Sequence, residues 1–430
     1  MLTIEGLYES LAATMEDDVP GSLGLVTRAG QLSRNQLAAS PEANNEQLRE
    51  MFSRDEAIGT IAVIEHGRPI GLINRHIFME QYAKPFARDL WGRKSCIAFM
   101  DKSPLIVDVA TPVEVLVKAA VASGGKVLDD GYITTSDGEY HGVGTGFGLM
   151  KAMSEIEAEK TRQLMSSINY ASLIQRSHLV ESDQALRKHI GDFGLIWLPR
   201  DVVGGDAYFV RAVADGTFFC VFDCTGHGVP GAFMTLIVLS FLEQAVHSDA
   251  NGLDPGDVLA RLNVYLKRVL QQEDRGASDP NLGSKASNDG LDGAAFVLSC
   301  DQAELRFASA KLGLMVARAG AADIELVEGD KHGIGYADTP LATRWNTRTV
   351  TLGPNCLLML PTDGVIDQIG GAKAIGFGRK RLMQFMAESR VQDAAGLASA
   401  FEGVFTQWQG GQKRRDDVTV LVLRTPGGVK

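Results

Sequence analysis

The sequence predicts an α+β protein, with a layered C-terminal domain joined by one long helix to a smaller N-terminal α/β unit. Three observations predict it. The first third carries a weak internal repeat of strand, glycine turn, strand and helix. Lys151 to Ile190 contains neither Gly nor Pro. Beyond Gly191, short apolar runs alternate with turns rich in Gly and Asp. The expected divisions are 1–150 for the N-terminal unit, 151–190 for the helix and 191–430 for the layered domain.

In the N-terminal unit, Thr60 to Met79 aligns with Gly131 to Met150, so that Gly67 matches Gly138 and Gly71 matches Gly142, each at an offset of 71 residues. Each copy reads as a β-rich run, a turn glycine suited to φ > 0 and a second short run. Between the copies, Thr111 to Ser123 has a Thr cap and helical apolar spacing. The pattern, over about residues 20 to 150, resembles a CBS domain pair, a regulatory module built from two such halves. In nucleotide-binding members each half carries a Thr and, three residues later, an Asp that holds ribose. Here Thr145 is followed by Gly148, and the first copy has Asn74 and Ile77. The resemblance therefore implies a CBS-like unit that is either a structural, dimerising element or a ligand sensor.

The next segment predicts a helix of ~60 Å at 1.5 Å per residue. Met153, Ile156, Leu164, Ile168, Ala171 and Ile174 fall on one stripe, with Glu and Arg elsewhere. A stripe of that length must be covered, so the segment is expected to dimerise and to pass conformational change to the layered domain; an inert spacer is the alternative.

In the last segment FFCVFD, AAFVLSC, ELRFAS, CLLMLP and VTVLVLR read as buried strands, while GAFMTLIVLSFLEQAV and PGDVLARLNVYLKRVL read as helices. Gln271 to Gly290 is polar throughout and is expected to be a mobile loop. Mixed strands with two long helices indicate a layered domain.

Bulk properties narrow the function classes. A chain of 430 residues exceeds one compact core. A formal net charge of −11 argues against nucleic acid as the main ligand. The five cysteines form no zinc pattern and read as reduced thiols of a cytoplasmic protein. The longest apolar run, Phe233 to Leu242, is short of a membrane span, and the acidic start lacks the basic region of a signal peptide.

Four carboxylates stand at strand ends or turns. Asp206 closes VVGGD, Asp223 ends FFCVFD, Asp363 follows CLLMLPT and Asp416 precedes VTVLVLR. Carboxylates beside glycines suit hard divalent cations, since small neighbours let carbonyls and water approach. Two such ions would clamp a phosphoryl group and acidify a water.

From about Ile168 to Arg424 the blocks INYASLIQRS, WLPRDVVGGD, DCTGHGVPGAFMT, LPTDGVIDQIGG, GFGRKRL and RRDDVTVLVL occur in order. Together they resemble the metal-dependent PPM protein phosphatases in their SpoIIE-like branch, and the wording is similar to the SiaA-like members. The resemblance implies a C-terminal αββα sandwich, a site for two Mn²⁺ or Mg²⁺ ions, and hydrolysis of phosphoserine or phosphothreonine without a phosphoenzyme. Carried over by motif, Asp223 bridges both metals, the Cys224 carbonyl ligates one, Asp363 and Asp416 complete the other, and Asp206 supports the first. Asp417 is placed outside direct ligation. His227 in the GHG turn either delivers a proton to the leaving alkoxide or is a turn histidine with a local hydrogen bond. Lys311, in SAKLG, either steers substrate phosphate or is an ordinary surface charge, the default reading, and Arg200 is a candidate for phosphate by its closeness to VVGGD. The implied partner is a phosphorylated STAS-like anti-sigma antagonist in a partner-switching pathway, and the chain is expected to be a homodimer. A catalytically silent phosphoprotein binder is the rival reading; it has no need of every ligand.

Overall fold

The sequence repeat is a structural one. In a computed structural model, which describes residues 26–35, 37–248, 252–272, 288–321 and 323–427, it forms two matching β-hairpins, Thr60–Glu65 with Arg68–Asn74 and Tyr132–Ser136 with Glu139–Gly144. Each hairpin turns through two residues of positive φ, His66–Gly67 and Asp137–Gly138, as a tight two-residue hairpin requires. Each ladder slips register once, between Val63 and Ile64 and between Thr134 and Thr135, which are equivalent positions. Ala62, Leu72, Ile133 and Val143 form a small cluster in which the members again match pairwise.

The same correspondence extends to the helices. Asn45–Arg54 precedes the first hairpin and Val113–Ala122 the second. After the hairpins, the side chain of Asn74 accepts hydrogen bonds from the backbone N–H of His76 and Ile77. Its counterpart Thr145 accepts from the N–H of Gly148. These two side chains are helix caps.

The chain divides into two compact units, Met1–Leu164 and Met165–Lys430. Helix α1, Gly146–His189, contributes residues to both. Its buried residues follow the expected stripe only in part: Ile156 is buried in the first unit's core, but the pattern differs further along. Leu164 is 66% exposed, whereas Ser172, Gln175, Leu179, Ser182 and Leu186 are buried. Spacings of three and four residues make these five one helical face. The expected stripe counted only apolar residues, but Gln175 and Ser182 are buried because each has partners inside the unit.

The second unit is built on two five-stranded antiparallel sheets. The first runs in the order β8 (Arg348–Thr351), β5 (Glu304–Ala310), β4 (Leu291–Ser299), β3 (Gly216–Cys224), β2 (Asp206–Val213). The second runs β7 (Glu325–Val327), β6 (Leu314–Ala317), β9 (Leu357–Pro361), β12 (Val418–Arg424), β1 (Phe193–Leu198). Alternation along β12 shows how the layers stack. Leu421 and Leu423 join the core that holds Phe222 and Leu360, while Val418, Val420 and Val422 join a second core with Phe401 and Phe405. Helices α2 (Gly228–Ser248) and α3 (Pro255–Val269) cover the first sheet, and α5 (Arg379–Ser389) and α6 (Ala394–Gln409) cover the second. This is the expected αββα sandwich.

By length and composition α2 is apolar enough to cross a membrane, yet Met234, Val238, Leu239 and Leu242 are buried in the domain core. The expected mobile loop at 271–290 lies, for residues 273–287, outside the described residues.

Candidate metal centre

The strand register assembles the site. Asp206 at the start of β2 is the cross-strand partner of Asp223 near the end of β3, and Asp223 is in turn the partner of Asp292 on β4. Partners directly opposite share a face of the sheet. Three carboxylates therefore stand in a row, an arrangement that like charges make unfavourable unless a cation joins them.

The second sheet supplies the rest. Pro361 at the end of β9 pairs with Val420 on β12, so Asp363, just past one strand, and Asp416, just before the other, share one edge. Thr362 joins the two sheets. Its hydroxyl donates to Asp206 Oδ2 at 2.7 Å and accepts from the N–H of Thr419 at 2.9 Å. Asp206 Oδ1 is buried without a hydrogen-bond partner among the described residues.

Burial first, and neighbouring carboxylates second, push the acids of this cluster upward. Asp223 is raised to about 11, with Asp206 and Asp363 as its strongest neighbours. Asp206 is raised to about 7 by burial, against hydrogen bonds from Thr362 and Thr419 that lower it. Asp363 is raised as well, and the carboxyls of Asp223 and Asp363 are hydrogen-bonded to each other. Burial and like charge thus favour the protonated form of these groups, and a divalent cation would compete with those protons.

Whether the residues fit such an ion depends on the donor set. All are oxygens, Asp206 Oδ1 and Asp292 Oδ1 are buried without hydrogen-bond partners among the described residues, and the carboxyls of Asp223 and Asp363 pair with one another where a cation would otherwise neutralise them. That chemistry fits Mg²⁺ or Mn²⁺. Among the described residues no group of three His, Cys, Asp or Glu side chains forms a ready-made ligand set.

The remaining predicted residues have definite places. The Cys224 carbonyl faces Gly205, where a Cβ would come within 2.7 Å of it; the Gly-Gly approach to Asp206 is thus a close backbone passage. Asp417 is a clamp. Its Oδ1 accepts from the N–H of Arg200 and its Oδ2 from the N–H of Gly205, both at 2.6 Å. Arg200 directs its guanidinium to the carbonyl of Arg415 at 3.0 Å, so it braces the same loop. His227 Nδ1 lies 2.8 Å from Asp201 Oδ2. Lys311 pairs with Asp292 at 2.9 Å.

Sequence reasoning missed five participants: Asp201, Asp292, Thr362, Thr419 and Gln175. The last is fully buried on α1. Its Nε2 donates to the carbonyl of Gly204 at 2.7 Å and to Thr235 Oγ1 at 3.0 Å, and its Oε1 accepts from the N–H of Gly204 at 3.3 Å. A glutamine inside INYASLIQRS therefore holds the turn that leads to Asp206. Its one signal was its place within that block.

Comparisons with known proteins agree with this geometry. The family model described as Stage II sporulation protein E (SpoIIE) matches residues 214–426. The solved SiaA-PP2C domain of Pseudomonas aeruginosa is 31% identical, and the match covers 62% of this chain and 99% of that one, with a TM-score of 0.53. The chain belongs to the SpoIIE family of PP2C-type phosphatases.

Members of this family are metal-dependent serine/threonine phosphatases, in accord with the acidic cluster. Two further structures are similar. The phosphatase domain and regulatory-domain fragment of SpoIIE from Bacillus subtilis is 16% identical, covering 56% of this chain and 64% of that one at a TM-score of 0.41. The RsbU and RsbW domains of Rv1364c from Mycobacterium tuberculosis are 19% identical, covering 56% and 61% at 0.42. Among curated proteins no sequence matches.

Proposed function

We propose that this chain removes phosphate from serine or threonine of a phosphorylated partner protein, using two divalent cations, Mn²⁺ or Mg²⁺. The observation that carries the reading is the meeting of Asp206, Asp223, Asp363 and Asp416 at one edge of the sandwich, with a buried oxygen left unpartnered. Asp223, Asp363 and Asp416 would hold the ions, with Asp206 and the Cys224 carbonyl supporting one of them. The ions would supply charge neutralisation at the phosphoryl oxygens and a water acidified for attack.

The chain's own residues do the rest. Thr362 fixes one oxygen of Asp206, and Asp417 fixes the loop from Arg200 to Gly205, which sets the ligand geometry. With Nδ1 of His227 turned to Asp201, Nε2 is the nitrogen able to hand a proton to the leaving alkoxide. Positive φ at Gly226 and Gly228 shapes the turn that presents this ring. Lys311 and Arg200 are the cations proposed to meet substrate phosphate.

The substrate we propose is a STAS-like anti-sigma antagonist in a partner-switching pathway; the resemblance of DCTGHGVPGAFMT and TDGVIDQIGG to such phosphatases supports it. We also propose a cytoplasmic homodimer. Leu164, Met165 and Tyr170 on α1 are 66%, 41% and 56% exposed, an apolar surface that a second copy would cover. The N-terminal unit, whose matched halves support a CBS-like pair, would regulate the site through α1. The helix-capping roles of Asn74 and Thr145 favour a structural or dimerising unit over a nucleotide sensor.

The test is phosphate release from a phosphorylated STAS-like protein by the full-length chain with Mn²⁺. Release that requires the metal supports the reading. Tight binding without release would instead make the chain a silent phosphoprotein binder.

A further inference from the structure

The carboxylate row does not end at Asp292. Gly293 pairs with Ala310 on β5, so the next residue, Lys311, arrives beside Asp292 at the same edge. Its ammonium lies 2.9 Å from Asp292 Oδ1. It also lies 4.8 Å from the ring centroid of Tyr336, within the range of a cation–π contact.

This placement is built rather than incidental. Lys311 has φ of 69°, a left-handed conformation that costs about 1 kcal/mol or more in a residue with a side chain. The surroundings enforce it. The N–H of Lys311 donates to the carbonyl of Asp330 at 2.8 Å. Ser309 Oγ donates to the carbonyl of Leu312 at 2.6 Å. Gly329 gives the turn room, since a Cβ there would come within 3.0 Å of the Lys311 nitrogen. Tyr336 is seated against Gly290 and Gly333, whose Cβ atoms would strike its ring at 2.7 and 2.4 Å. An ordinary surface lysine needs none of this.

Charge decides what the ammonium is for. Asp206, Asp223, Asp292, Asp363 and Asp416 bring five negative charges if ionised. Two divalent ions bring four positive ones, so an incoming phosphate dianion would still meet net repulsion. Lys311 offsets part of that charge, which Asp417 beside Asp206 adds to. Its ammonium has three N–H donors, and its side chain remains 43% exposed. The ammonium can therefore reach an incoming oxygen while it stays beside Asp292. Arg200, the other candidate, is engaged with the carbonyl of Arg415 and braces the loop.

We propose that Lys311 is the cation that receives the substrate's phosphoryl oxygens, and that Asp292 is a positioning residue that aims it. This rests on the phosphatase reading above. The experiment uses full-length protein, saturating Mn²⁺, p-nitrophenyl phosphate as substrate and inorganic phosphate as competing inhibitor. Lys311→Met should raise KM and the phosphate inhibition constant together by about tenfold or more, the loss expected for a charge-assisted contact, with a smaller change in kcat. Lys311→Arg should recover much of the loss. Half-saturation by Mn²⁺ should stay within about twofold.

The double variant Asp292→Asn with Lys311→Met separates binding from mere charge balance. If Lys311 grips phosphate, the double variant keeps the raised KM and inhibition constant. Wild-type values in the double variant would show that the single variant suffered only from an unpaired Asp292, and would overturn the proposal. So would unchanged constants in Lys311→Met, or an additional Mn²⁺ bound by it. A wild-type chain without Mn²⁺-dependent hydrolysis would overturn the phosphatase reading and this proposal together; an active wild type with an equally active Lys311→Met overturns this proposal alone.

Discussion

The two units treat the polar residue at the end of a strand in opposite ways. In the N-terminal unit, Asn74 and Thr145 sit where a hairpin gives way to a helix, and each spends its side chain on the helix's own N–H groups. In the sandwich, Asp206 and Asp223 occupy comparable strand-end positions, but burial and like charge leave them protonated or unpartnered. The two caps are satisfied by their own helices, whereas Asp206 Oδ1 in the sandwich has no partner among the described residues; under the proposed reading a cation would complete it, and this difference separates a structural end from a chemical one.

The largest effect should come from removing the incomplete end. Asp223→Asn and Asp363→Asn should each lower Mn²⁺-dependent phosphate release by about a hundredfold or more, because an amide holds a divalent ion poorly. Metal-free Asp223→Asn should melt no lower than metal-free wild type, since a carboxyl whose ionisation burial opposes is replaced by a neutral amide of similar shape. A clear drop in melting temperature would mean that Asp223 stabilises the fold, and would break the comparison.

Next in size is the coupling through α1. Gln175→Ala, and polar replacement of Ile168 with Ile174, should shift turnover or Mn²⁺ half-saturation several-fold in the full-length protein. The turn before Asp206 loses its brace in the first case, and the helix surface changes in the second. Unchanged kinetics and metal affinity in both would reduce the helix to a tether.

A pH titration probes the same carboxyls. An unfolded aspartate titrates near ~4, while folded Asp206 and Asp223 are raised to about 7 and about 11. The folded metal-free protein therefore holds more protons than the unfolded chain above pH ~4, so its stability should fall as pH rises from ~5 to ~8. Saturating Mn²⁺ should flatten or reverse that slope, because the metal takes the place of the protons. Melting curves with and without Mn²⁺ at several pH values measure it.

The smallest effect belongs to the complete end. Asn74→Ala should cost about 1 kcal/mol of stability in the N-terminal unit, the usual value for a lost cap, with kcat unchanged.

Much of this contrast was legible in the sequence, and the reasons differ by residue. Asp206, Asp223, Asp363 and Asp416 stood out because each adjoins an apolar strand or a glycine turn, a local pattern. The 71-residue offset exposed the repeat because its turn glycines are required by positive φ at Gly67 and Gly138. Asp292 and Lys311 could not be joined beforehand, since their pairing depends on the register between β3, β4 and β5. Gln175 and Ser182 lie off any apolar pattern, although partners inside the sandwich permit their burial. Thr362 was hidden because its hydroxyl acts across two sheets. Local pattern names the candidate carboxylates; tertiary register supplies what holds them.

The most direct test is a Mn²⁺ titration of chelator-treated full-length protein, monitoring phosphate release from a phosphoserine substrate. A metal-dependent phosphatase should show no release without metal, a saturable rise as Mn²⁺ is added, and no comparable rise for Asp223→Asn. Metal-independent release, or activity of Asp223→Asn within about tenfold of wild type where a bridging ligand should cost far more, would contradict it.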